Sequence, residues 1–193
     1  MISAVVLAAG LSSRMGKPKM LLPWGKTTVI EKVIATLADA GIDSIYVVVG
    51  GNSPDVKKVL SGYALNFVLN PDYASGEMLS SVQVGLQRLP KETETALIVL
   101  GDQPQIEATI VREITENYLQ SKEKIVVPSY QRHRGHPWLV DRSLWPEIIN
   151  LQPLSTLRDF LINNERKISY VEVDTDSILQ DLDTPHDYQQ HKP

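Results

Sequence analysis

The chain opens with an unbroken apolar run, Ile2-Ser-Ala-Val-Val-Leu-Ala-Ala9, that ends on Gly10. Such a run, without alternation, predicts a strand buried on both faces, as inside a parallel sheet. Similar runs follow at Ser44 to Val49, closed by Gly50-Gly51, at Ala64 to Leu69, closed by Asn70-Pro71, and at Ala96 to Leu100, closed by Gly101-Asp102. Lys124 to Val127, Pro137 to Val140 and Ile168 to Val173 read as further extended segments. Between these runs the hydrophobic period becomes helical. Val29, Val33 and Leu37, with Ile30 and Ile34, share one face behind Thr28-Val-Ile-Glu31, which has the form of a capping box, and Gly41 ends the helix. Helices are also expected from Pro54 to Leu60, Met78 to Leu89, Ile106 to Leu119, Leu144 to Ile149 and Thr156 to Ile162, with Pro185 starting a terminal one.

Strands alternate with helices over the first ~130 residues, which predicts an α/β fold. The expected architecture is a Rossmann-like, doubly wound, mostly parallel sheet with helices on both faces and right-handed crossovers. No repeat, low-complexity tract or linker interrupts residues 1–193, so one domain is expected. Beyond residue 128 the strict alternation lapses, and that part reads as a substrate-side lobe.

Composition narrows the function. The 193 residues carry a net charge of −4, which argues against a nucleic-acid partner. There is no cysteine, which excludes disulfides, thiolate nucleophiles and Cys-rich zinc sites. The amino-terminal apolar run is too short to span a membrane and lacks a charged flank, so a cytoplasmic protein without a membrane partner is expected.

Against the overall acidity, the basic residues Arg14, Lys17 and Lys19 concentrate in the loop after the first strand, among Gly10, Ser12, Ser13 and Gly16. Glycines with Ala8 and Ala9 let backbone N–H groups approach an anion, and Arg14 and Lys19 neutralise it. Ligands of open α/β sheets bind beyond the carboxyl ends of strands, where this loop is expected. The pattern is not a Walker loop: five residues separate Gly10 from Gly16, and Pro18 follows Lys17 where that loop carries Ser or Thr. A Gly-x-Gly-x-x-Gly dinucleotide fingerprint is also absent. Asp102, after a wholly apolar strand, is placed to be a hard oxygen ligand for Mg²⁺ or, equally, a helix N-cap. The turn holding Gly76, entering a helix with Ser80-Ser81, offers N–H and hydroxyl groups to a base or ribose, or else is a cap with surface serines.

The stretch from Leu7 to Leu22 resembles the signature of MobA-like nucleotidyltransferases, and within them the molybdenum cofactor cytidylyltransferases. It matches Leu-Ala-Ala-Gly-x-Ser-x-Arg-Met-Gly-x-x-Lys at Leu7, Ala8, Ala9, Gly10, Ser12, Arg14, Met15, Gly16 and Lys19. The resemblance runs in order to Tyr188. It implies a fold of the nucleotide-diphospho-sugar transferase type, and transfer of CMP from CTP to the phosphate of molybdopterin or the molybdenum cofactor. It implies catalytic roles for Arg14, Lys19 and Asp102, and nucleotide contacts from Leu7, Ala8, Ala9, Gly10, Ser12, Gly16, Gly76 and Ser81. Gly101-Asp102-Gln103-Pro104 resembles the family's metal motif, and Asp181-Leu-Asp183-Thr-Pro185-His-Asp187-Tyr188 its closing motif. Mg²⁺ on Asp102 and Asp181 is the implied cofactor. Asp183 reads as a cap of the last helix and Asp187 as a first-turn acid.

Gly135-His136-Pro137 resembles an acceptor-side motif, implying acceptor contacts from His136 and from Arg158. The stretch Leu151-Gln-Pro-Leu-Ser155-Thr-Leu-Arg158 keeps that arginine but lacks the family's two glycines. Guanylyl-transferring members read Leu-Ala-Gly-Gly where this chain has Ala9, which points to CTP. The resemblance leaves open transfer to another phosphorylated metabolite, such as methylerythritol phosphate or phospholactate. It also leaves open a non-catalytic carrier that delivers the cofactor to a xanthine dehydrogenase-type enzyme; such a molybdoenzyme is the downstream partner implied for cofactor transfer as well.

Overall fold

The computed structural model describes every residue except Ser13, Arg14, Gly76 and Lys122, with the backbone alone at Glu77. The strands are β1 (Ile2–Ala8), the short hairpin β2 (Pro23–Trp24) and β3 (Thr27–Thr28), β4 (Ile45–Val49), β5 (Asn66–Leu69), β6 (Thr95–Leu100), β7 (Ile125–Tyr130), β8 (His133–Arg134), β9 (Trp138–Asp141) and β10 (Ile168–Glu172). The helices are α1 (Val29–Asp39), α2 (Ser53–Val59), α3 (Glu77–Arg88), α4 (Ala108–Ser121), α5 (Trp145–Ile149), α6 (Leu157–Asn163) and α7 (Pro185–His191). Thr28, Thr156 and Thr184 start α1, α6 and α7, each in a capping box with the acid three residues on.

The main sheet runs β10-β7-β9-β6-β1-β4-β5, with β8 added to β7. β1 is central and shows why its run is apolar throughout. Ala4, Val6 and Ala8 enter one core while Val5, Leu7 and Ala9 enter the other. The first core lies under α1, α2 and α4 through Ile30, Ile34, Val56, Ile110 and Ile114. The second lies under α3, α5 and α6 through Val82, Leu86, Ile148, Phe160 and Leu161. Gly85 lets α3 sit tight on the sheet, since a Cβ there would fall 2.4 Å from Val5 Cγ1.

β1 pairs in parallel with both β4 and β6, with Ala8 opposite Val49 and Leu7 opposite Leu100. The loops after these three strands therefore leave from one rim. The strands that depart from the parallel pattern are β8, antiparallel to β7, and β9, antiparallel to β6 and β7. The cause is local. Gln131 and Arg132, at φ of 49° and 67°, turn the chain back from β7 into β8, as two-residue hairpin loops require. Among the described residues no helix is long and apolar enough to cross a membrane.

Candidate active site

At the carboxyl rim of β1 and β6 lies a cavity of about 520 Å³, within the size range of small-molecule sites. Its floor is the end of β1: alternation sends Leu7 and Ala9 toward it and Ala8 into the opposite core. Gly10 and Leu11 continue the wall. A Cβ at Gly10 would meet no atom of the described residues within 4 Å. No packing contact therefore demands glycine there, whereas a ligand lying against the backbone would.

Lys19 opens a 3-10 turn, Lys19–Leu21, whose Met20 is buried. A Cβ on Gly101 would press on Leu7 O at 2.8 Å and on Met20 Sδ at 3.2 Å, so only glycine lets this turn settle against Asp102. The result is an ion-paired centre. Lys19 Nζ donates to Asp102 Oδ2, and to Asp183 Oδ1 at 3.2 Å. Lys19 and Asp102 side chains are each only 13% exposed, so their charges are shielded from water and depend on each other. Burial works to lower the Lys19 pKa, but Asp102 and Asp183 outweigh it and hold it above its usual value.

Asp181 lies beside them. Gln103 Nε2 donates to its Oδ1 at 2.7 Å and also reaches Ile178 O at 3.3 Å. Burial first, and the Asp102 carboxylate second, push Asp181 up to about 6. Leu182, fully buried against Trp24 and Val29, sits between Asp181 and Asp183, and both acids line the cavity. The Leu182 N–H donates to Asp102 O at 3.3 Å, which ties this segment to the Gly101–Pro104 loop. The cap role expected of Asp183 belongs instead to Thr184, whose hydroxyl accepts from Asp187 N–H while the Asp187 carboxylate accepts from Thr184 N–H. A hydroxyl does this without carrying charge, which leaves the Asp183 carboxylate for Lys19.

Among the described residues no three His, Asp or Glu side chains are gathered as a finished metal cage. Asp102, Asp181 and Asp183 nevertheless line the same cavity and offer oxygen donors of the kind that hard divalent cations take. Three carboxylates share one rim, and Lys19 supplies the positive charge that Asp102 and Asp183 share.

The side of the cavity nearer α3 is less legible in the sequence. Tyr73 lines it, and its ring occupies space that side chains on Gly50 and Gly51 would take, with Tyr73 Cγ only 2.7 Å from a Cβ at Gly50. The paired glycines after β4 were the signal, though in sequence they only stop a strand. Ser81 lines the cavity and is buried. Its hydroxyl accepts from the Asn70 amide at 2.9 Å.

Other expected residues stand apart. Ser12, at φ of 52°, uses its hydroxyl to accept from Lys19 N–H at 3.0 Å, so it shapes the loop without lining the cavity. Gly16 forms an exposed turn at φ of 64°. His136 stacks on Trp138, with centroids 4.3 Å apart, and its backbone N–H donates to Ile178 O at 3.1 Å; it does not line the cavity. Burial pushes its imidazole down to about 4. Arg158 also lies outside the cavity. α6 turns Leu157, Phe160 and Leu161 to the core, which leaves position 158 exposed. Arg14 and Gly76 lie outside the described residues.

The MobA-like NTP transferase domain matches residues 4–168. Over 188 residues the chain is 29% identical to the molybdenum cofactor cytidylyltransferase of Escherichia coli (strain K12), covering 97% of this chain and 93% of that one. It is 27% identical to a nicotine blue oxidoreductase of Paenarthrobacter nicotinovorans, covering 95% of this chain and 92% of that one. A Mycobacterium tuberculosis H37Rv protein solved in complex with manganese superposes with a TM-score of 0.81 at 27% identity, covering 99% of this chain and 97% of that one. With that match along most of its length, and acids and a lysine gathered where its central strands end, this chain belongs to the MobA-like NTP transferase family of nucleotidyltransferases.

Proposed function

We propose that this protein transfers CMP from CTP to the terminal phosphate of molybdopterin or the molybdenum cofactor and releases pyrophosphate. The observation that carries the reading is the rim cavity in which Lys19, Asp102, Asp181 and Asp183 face the backbone of Ala9–Gly10. The similarity to the Escherichia coli cytidylyltransferase supports the nucleotide and the acceptor. Ala9 supports a pyrimidine, because its methyl narrows the backbone approach. Use of the product by a xanthine dehydrogenase-type enzyme belongs to the same proposal.

Asp102 and Asp181 would hold the divalent ion, with Asp183 beside them. Bound there, Mg²⁺ or Mn²⁺ would supply Lewis acidity at the α-phosphate. Lys19, one side-chain swing from its carboxylates, neutralises the β- and γ-phosphates, together with Arg14 from the same loop. An acceptor phosphate oxygen forms a new bond to the α-phosphorus. The bond from that phosphorus to the bridging oxygen breaks, and pyrophosphate leaves with the electron pair. The chain's work is in-line positioning and charge neutralisation. The acceptor phosphate is already anionic, so no general base is asked of the protein.

One observation favours a second acceptor. The 151–158 stretch departs from the family pattern, which supports transfer to another phosphorylated metabolite. Pyrophosphate release measured with CTP, GTP, ATP and UTP against molybdopterin separates the readings. The expected result is release with CTP alone, lost in a folded Asp102→Asn variant. Release with none of the four, or undiminished turnover in Asp102→Asn, sinks the proposal.

A further inference from the structure

Beside the first cavity lies a second, of about 460 Å³, between the 72–75 turn, the early turns of α3 and the 153–156 loop ahead of α6. Ser75 lines both, so one turn of chain divides them. Asn70, fully buried, braces the divide from beneath. Its amide nitrogen donates to Ser80 Oγ and to Ser81 Oγ, each at 2.9 Å. Ser80 lines the second cavity and Ser81 the first. Asn70 Oδ1 accepts from Asp72 N–H at 2.9 Å and so fixes where the dividing turn begins. The far wall is anchored by Gln83 Nε2, which donates to the carbonyls of Ile148, Ile149 and Leu151 at 3.0, 3.2 and 3.0 Å.

The chemistry of the two cavities differs. The first gathers Lys19 and three acids; among the described residues the second has no lysine or arginine in its lining and one carboxylate, Asp72. A phosphate there would face Asp72 with no cation to offset the repulsion, so the site selects against anions. With the Gln83 nitrogen spent on backbone carbonyls, Gln83 and Asp72 bring oxygen acceptors to the lining, beside the hydroxyls of Ser75 and Ser155, which can accept or donate. These match N–H donors. Leu79, Pro153 and Leu154 add apolar surface, and Leu154 is 98% exposed, so a flat ring has a face to cover.

We infer that this second cavity seats the organic body of the acceptor: an uncharged, planar nitrogen heterocycle with N–H donors, whose phosphate arm crosses Ser75 into the first cavity. The inference rests on the nucleotidyl-transfer reading above, where that body is the pterin ring. Ser155→Trp fills the cavity from its half-exposed lip, and Asp72→Leu removes the carboxylate from an exposed turn. Both variants are first checked for an unchanged thermal midpoint; if Ser155→Trp fails that check, Asp72→Leu alone decides. With CTP and molybdopterin, each is expected to raise the acceptor KM tenfold or more while leaving the CTP KM within twofold. In parallel, a phosphate-free pterin titrated by its fluorescence is expected to bind the wild type and to lose tenfold or more in each variant. Acceptor KM and pterin Kd both unchanged in the folded variants would overturn the inference, and wild-type pyrophosphate release would still uphold the transfer. Conversely, pterin binding blocked by either variant in a protein that releases no pyrophosphate keeps the cavity and discards the transfer. No saturable pterin binding to the wild type overturns the cavity assignment.

Discussion

Lys19 concentrates the chemistry of the site in one side chain. It pairs with Asp102 and Asp183 across 83 and 164 positions of sequence. In Lys19→Met the acids lose that internal cation. Two opposite effects are expected. Turnover should fall by about 2.7–4 kcal/mol of barrier, as when one preorganised donor to a developing oxyanion is lost. Mn²⁺ binding without nucleotide, measured by calorimetry, should become tighter than in the wild type; weaker binding would show that Lys19 does not compete for the acids. His136 makes a different prediction. Its buried imidazole, held at about 4, refuses a proton that the unfolded chain accepts below 6.5. Its contribution is complete above pH 6.5 and is lost as pH falls toward 4, by about 3 kcal/mol in all. Asp181, pushed up to about 6, works with the opposite sign over the acid range. The diagnostic is therefore the difference: urea unfolding of His136→Gln should weaken less steeply from pH 7 to pH 4 than that of the wild type.

At the scale of elements, the apolar runs foretold the strands, the capping box at Thr28 foretold the start of α1, and Pro185 that of α7, because these signals are local. α3 shows where local signals stop. Its seat on β1 depends on Gly85, which in sequence is only a weak point in a helix, and in the fold is where the helix touches Val5. Gly85→Ala should cost about 1–3 kcal/mol, as overpacking of a filled core does. By lifting α3 it should also raise the CTP KM, since Ser81 rides on that helix. Gly62→Ala is the control: a Cβ there meets nothing within 4 Å and the backbone is not left-handed, so denaturant midpoint and KM should both stay put.

Across the whole molecule, the end of the chain closes on its beginning. Leu182 is buried with Trp24 and Val29, and Tyr188 Oη donates to Pro23 O at 2.6 Å. This closure delivers Asp181 and Asp183 to the rim where β1 and β6 end. Leu182→Ala should destabilise the fold by about 2–5 kcal/mol, the usual range for emptying a leucine site. Because the residue stands between two acids of the site, divalent-ion affinity should fall in the protein that remains folded. Loss of stability with unchanged affinity would mean that the two acids hold their places without this clamp.

The sequence alone determined the α/β class, the parallel core, the basic loop and the carboxylate that follows the fourth apolar run, Asp102. These follow from the apolar period and from glycines and charges adjacent in the chain, and such local patterns survive without knowledge of the fold. Only the tertiary structure decided that Asp183 faces Lys19 rather than capping α7, that Tyr73 and Asn70 shape the α3 side of the cavity, and that His136 and Arg158 stay out of it. Each depends on which face of an element is turned inward and on contacts between residues far apart in sequence, and neither is written in the spacing of neighbours.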